Sequence, residues 1–213
     1  MIKIIFFAAE FGEETNMPYP QGHRNATRSA IIQAARKLFN RHGFDSVSIE
    51  QIMAETGLTH GGFYRHFDSK SDLYAEALQC FFTDPGWDSK WDGIDIDRDA
   101  ADIGPQIVRA YLSRQHAEAI DDACPMVALP SDVARSGAAA KRAYEAVFRA
   151  MIDILQRGAR NGAAEDRTVA MSVAALCVGG MVIARATDDR VFADAVRETC
   201  QATALRLAGW EAA

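Results

Sequence analysis

The chain has 213 residues, of which 49% are hydrophobic, and carries 29 acidic against 23 basic side chains for a formal charge of −6. That is enough apolar material for one substantial core or two small ones, and a negative charge spread evenly would exclude nucleic acid as a partner. The charge is not even: residues 21–70 hold seven Lys or Arg against four acids, whereas residues 71–213 hold 15 against 22. A basic segment on an acidic remainder is the distribution of a nucleic-acid-binding head on a separate body.

The first 20 residues are expected to form a leader outside the fold. Its apolar part, Ile2 to Ala9, is too short for a secretory signal and runs into Glu10, Glu13 and Glu14, so a disordered or misassigned leader is expected, with Met17 a more natural start. From Thr27 to His42, Ile31, Ile32, Ala35, Leu38 and Phe39 recur at helical spacing, and Gly43 stops that helix. Ser48 with Gln51 three residues later spells a capping box, and Gly57 supplies the left-handed residue that ends a short second helix. A third helix is predicted to start at Thr59, with His60, Gly61 and Gly62 in its first turn.

Two short helices joined by a glycine turn are the outline of a helix-turn-helix, whose second helix enters the major groove of DNA. Each glycine costs a helix up to about 1 kcal/mol relative to Ala. Two together need a reason, and close approach of the backbone to bases or phosphates supplies one; a frayed first turn is the bland alternative. His60, Gly61 and Gly62 form the predicted base-facing end, with Ser48, Thr59, Arg65 and His66 as further DNA-binding candidates, and Arg24 and Arg28 a basic arm that follows the DNA backbone, enters the minor groove or remains solvated. Phe63 and Phe67 are assigned to the core. His60 and His66 are six apart, so they share no helix face as metal ligands would; no metal or cofactor is expected.

Ser69 with Asp72 caps a fourth helix through Leu73, Tyr74, Ala77, Leu78 and Phe81, and residues 84–98 read as an acidic linker. Helical periodicity resumes over 101–119 and 138–161, with a short helix interrupted by Pro130 between them, and ends in a long pair at 166–186 and 190–209. No alternating strand pattern occurs. The expected fold is all-α with about nine helices, divided into a leader (1–20), a helix-turn-helix domain (21–70) and a larger helical ligand-binding and dimerisation domain (71–213).

The motifs Leu38-Phe39, Gly43-Phe44, Phe63-Tyr64-Arg65-His66-Phe67 and Ser69-Lys70 together resemble the TetR/AcrR family of transcriptional repressors, from about Thr27 to Phe82. The resemblance implies a homodimer whose two heads grip a near-palindromic operator in double-stranded DNA and are released by a small-molecule inducer. It makes Tyr64 and Lys70 phosphate contacts, which fix register rather than sequence. It also implies an inducer cavity bounded by the fourth helix, with Phe81 and Phe82 best placed and Tyr111, Met126, Tyr144, Phe148 and Met151 as further candidates; ordinary core is the alternative for each.

The almost wholly apolar run Val169–Ala184 is too short for a comfortable membrane span and needs a covering partner. Val169, Val173, Leu176, Gly179 and Gly180 on it, with Val191, Phe192, Ala195, Val196 and Thr199 on the next helix, are expected to form the dimer face, and no membrane is expected. The four cysteines show no CxxC or zinc spacing, which suits a reduced cytoplasm. Cys124, followed by Pro125 at the start of a short helix, is the one candidate for an electrophile- or oxidant-sensing thiol, although Asp121 and Asp122 oppose its ionisation. A thiol enzyme using Cys124 with His116 as base is the rival from another class; it lacks an oxyanion-hole motif, a phosphate cradle and a nucleophile elbow.

Overall fold

The computed structural model describes residues 21–83, 96–97, 100–121, 123–157 and 167–210; the expected leader and most of the acidic linker lie outside them. Eleven helices and no strand occur among the described residues. The head contains α1 (Gln21–His42), α2 (Ile49–Glu55) and α3 (His60–Phe63), and α4 (Lys70–Thr83) leads away from it. The body contains α5 (Ile103–Tyr111), α6 (Arg114–Glu118), α7 (Pro125–Ala128), α8 (Pro130–Arg135), α9 (Ala138–Arg157), α10 (Arg167–Arg185) and α11 (Arg190–Leu207).

Eleven rather than about nine follows from local capping. The helix expected over 101–119 breaks at Ser113, whose hydroxyl accepts from the His116 amide at 3.1 Å and starts α6 afresh. Pro130, at the first position of α8, separates it from α7.

Two apolar clusters hold these helices. The first joins Ile31, Phe39, Ile52, Phe63, Leu73 and Leu78 of the head and α4 to Leu129, Val133, Ala140 and Ala143 of α7–α9. The second gathers Val108, Met126, Leu155, Val173, Cys177, Met181 and Ala204 within the body. Tyr144 borders both, and its hydroxyl donates to the Met126 carbonyl at 3.1 Å. Where α10 crosses α11, a Cβ on Gly180 would lie 2.7 Å from the Cys200 sulfur, so this close approach requires glycine. By length and composition α10 could cross a membrane, but it packs against α9 and α11 through Ala170, Val173, Cys177 and Met181.

Candidate nucleic-acid interface

The helix-turn-helix is built as its sequence dictates. Ser48 accepts from the Gln51 amide at 3.2 Å, and the Gln51 side chain accepts from the Ser48 amide at 2.7 Å, closing the capping box. Ile52 and Met53 are buried, and Gly57 turns the chain at φ +69°. Phe63 and Phe67 are buried as expected and anchor α3 and the turn after it.

This leaves a defined outer edge. Thr59, His60 and Gly61 are exposed, and the Thr59 hydroxyl makes no capping bond, so it remains available to an outside partner. A Cβ on Gly61 would meet nothing within 4 Å, and one on Gly62 would meet only ordinary contacts with Met53 and Thr59. Internal packing therefore does not require either glycine. Tyr64 is 57% exposed, its ring set edge-on to both Phe63 and His60, and His60 stands 3.3 Å from the Glu50 carboxylate. Leu58, at 38% exposure beside Thr59, also belongs to this edge, and its only mark in the sequence is an apolar residue in a turn.

Other assigned residues are engaged inside the head. Arg28 forms an ion pair with Glu76 of α4 and lies 4.5 Å over the Phe67 ring. Arg24 donates to the Arg65 carbonyl at 3.1 Å, bringing the start of α1 to the turn after α3. His66 is half-buried and held below its usual pKa by burial, with Arg24, Arg28 and Arg65 adding to the effect. Lys70 donates to the carbonyls of Phe44 and Val47, at 2.8 Å each.

A link between head and body was not visible in the sequence. The Asn40 amide donates to the carbonyls of Asp121 and Ala123 at 3.1 and 3.0 Å, and Arg41 pairs with Asp121. These partners are 80 to 83 residues apart, and no local pattern marks them.

In the body, Tyr111, Met126 and Met151 are buried in one cluster, and Tyr144 and Phe148 pack against it. The Phe81 and Phe82 side chains lie outside the described residues. Cys124 is fully buried, and burial pushes its thiol up to about 11, so it is protonated at neutral pH. His116 does not serve it as a base. Its Nδ1 donates to the Tyr111 carbonyl at 2.6 Å, its Nε2 accepts from the Cys124 amide at 3.4 Å, and burial lowers its pKa to about 4. Both ring nitrogens are occupied by backbone, which removes the thiol-enzyme pairing.

On the expected dimer face, Val191 and Phe192 are 80% and 57% exposed, and Ala195 and Thr199 are exposed beside them. Val169, Leu176, Gly179 and Val196 are half-buried. Val173 and Gly180 require correction: Val173 is wholly buried and Gly180 faces Cys200, so both are used within the protomer. Met171 and Ile183, at 46% and 52% exposure, are the outward apolar residues of α10 instead.

Comparison with known proteins agrees with this architecture. Residues 31–77 match the family model for bacterial regulatory proteins of the tetR family. The HTH-type transcriptional regulator AcrR of Shigella flexneri is 42% identical over 50 residues, 24% of this chain and 23% of that protein, so the match spans about a quarter of the relative's length. A TetR-family transcriptional regulator from Agrobacterium tumefaciens superposes with a TM-score of 0.63 at 25% identity, covering 84% of this chain and 97% of the other. The reduced form of Escherichia coli NemR gives a TM-score of 0.66 over 88% of this chain and 100% of that one, at 17% identity, which is a likeness of fold. Residues 31–77 thus match the tetR family of bacterial regulatory proteins, and the helical body is similar in fold to a solved TetR-family regulator.

Proposed function

We propose that the protein is a cytoplasmic, homodimeric transcriptional repressor that binds a near-palindromic operator in double-stranded DNA and is released by a small-molecule inducer. Residues 21–70 are the DNA-binding domain in this reading, and residues 71–213 bind the inducer and form the dimer. The observation that carries it is the bare edge of α3, where Thr59, His60 and Gly61 are exposed and nothing in the protein fills the space beside Gly61. Two such edges about 34 Å apart meet successive major grooves on one face of B-DNA, so a modest swing of α4 breaks simultaneous contact.

The inducer reading is favoured over thiol sensing because Cys124 is buried and protonated, which disfavours attack on an electrophile. The test is selection of a preferred duplex from random sequence, followed by binding titrations of the parent and Gly61→Leu. The added side chain enters open space in the free protein, so folding is preserved while specific binding is lost. A folded Gly61→Leu protein with parental affinity overturns the groove-facing assignment.

A further inference from the structure

A cavity of about 180 Å³ lies where α6, the end of α10 and the start of α11 meet, and its wall at Ala117 and Arg185 borders the core cluster that holds Tyr111 and Cys124. Four arginines line it, Arg114, Arg185, Arg190 and Arg197, against two acids, Glu118 and Asp194. Asp194 is shared by Arg114 and Arg197, which holds its carboxyl below the usual range. Arg197 is 6% exposed and also donates to the Leu112 carbonyl at 2.6 Å, so that wall is fixed.

Arg185 is different. Its guanidinium is half-buried, and its Nη1 is fully buried with no hydrogen-bond partner among the described residues. Burial pushes its pKa down, outweighing the opposing effect of the Tyr111 and Cys124 side chains, and no carboxylate pairs with it among the described residues. Arg190, exposed at the rim, adds a second positive charge with no ion pair among the described residues. The start of α11 is not the attracting element, because Asp189 already accepts from the Val191 and Phe192 amides. The uncompensated charge belongs to side chains.

We infer that this cavity is a binding site for a small oxyanion, held by the Arg185 guanidinium and closed by Arg190. A guanidinium presents paired N–H donors that match carboxylate or phosphate oxygens, and a partly desolvated one gains most from such a partner. The volume corresponds to roughly six waters, which suits inorganic phosphate or a carboxylate of about four carbons. An occupant would join the end of α10 to the start of α11, beside the exposed Ile183, Val191 and Phe192.

The experiment is calorimetry and thermal unfolding of the full chain with acetate, succinate or inorganic phosphate, each against chloride at matched ionic strength. The expected result is saturable binding of at least one probe with a raised unfolding midpoint, weakened about tenfold or more in Arg185→Gln. Arg190→Gln, at an exposed position, keeps the test valid if Arg185→Gln fails to fold, and it is expected to weaken binding several-fold. A carboxylate response without a phosphate response, or the reverse, identifies the source of the anion. No saturation beyond chloride, or parental affinity in the folded variants, overturns the site. Neither readout involves DNA, so this result is independent of operator binding.

Discussion

The ammonium of Lys70 lies 4.3 Å from the centre of the Phe44 ring while donating to the Phe44 carbonyl, so one side chain fastens the start of α4 to the loop after α1. That makes Lys70 structural as well as a proposed phosphate contact. Lys70→Met would strand two carbonyls and remove the ring contact, and is expected to lower head stability by about 1–3 kcal/mol. The salt slope of DNA binding should also fall by about one. Urea unfolding of the free protein checks the first effect; an unchanged midpoint would show that the carbonyl contacts contribute little.

Tyr64→Phe isolates a single hydroxyl on an exposed ring. Stability should stay within about 0.5 kcal/mol, while affinity drops similarly for operator and unrelated duplexes, because a phosphate contact carries no sequence information. Anisotropy titrations on both duplexes measure this. Loss confined to the operator would mean that the phenol reads a base.

His116 sets an acid limit on the body. Its folded pKa is about 4 against an ordinary 6.5, so between these values the unfolded chain takes up a proton that the folded chain refuses. Stability is therefore unpenalised above 6.5, falls as pH drops through this window, and is lower by about 3 kcal/mol once pH is below 4. Asp121 and Asp194, both shifted downward from 3.8, contribute only at lower pH. Denaturant unfolding of parent and His116→Gln between pH 7 and 4 provides the check, and the variant should show a flatter profile in the upper part of the window; equal slopes would assign the acid sensitivity to other groups.

Assembly is tested by a pair of substitutions on opposite sides of the α10–α11 pair. Phe192→Glu alters an exposed side chain, so the protomer should fold while the dimer dissociates and operator affinity collapses. Val173→Arg places an unpartnered charge in the core and should unfold the body at every concentration. Sedimentation and the concentration dependence of the unfolding midpoint distinguish the two. A parental protein that remains monomeric, with a midpoint flat across dilution, would defeat the paired-groove mechanism.

The head was legible because its signals are local: Ser48 and Gln51 three residues apart, Gly57 in a turn, and Phe63 and Phe67 at helical spacing. The use of Lys70 was not, since its acceptors are backbone carbonyls that carry no side-chain signature. The apolar run of α10 announced burial without saying by what. Val173 turned out to face its own protomer and Ile183 to face outward, a distinction that depends on where α9 and α11 lie. Arg185 likewise looked like an ordinary basic residue at a helix end until the fold brought Arg114, Arg190 and Arg197 around the same cavity.

The apolar cluster that runs from Ile31 and Phe63 through Leu73 into Val133 and Ala143 has a bearing on how such proteins diversify. A head exchanged for that of a similar helix-turn-helix protein would meet α8 and α9 with the wrong shape, and the chimera would leave gaps or clashes where Leu129 and Ala140 now fit. If the head reads DNA as proposed, new preferences are easier to acquire by changing the edge at Thr59–Gly61, where Thr59 makes no capping bond and a Cβ on Gly61 would meet nothing within 4 Å, than by importing a whole head. In this chain, recognition can drift while the packed joint stays put.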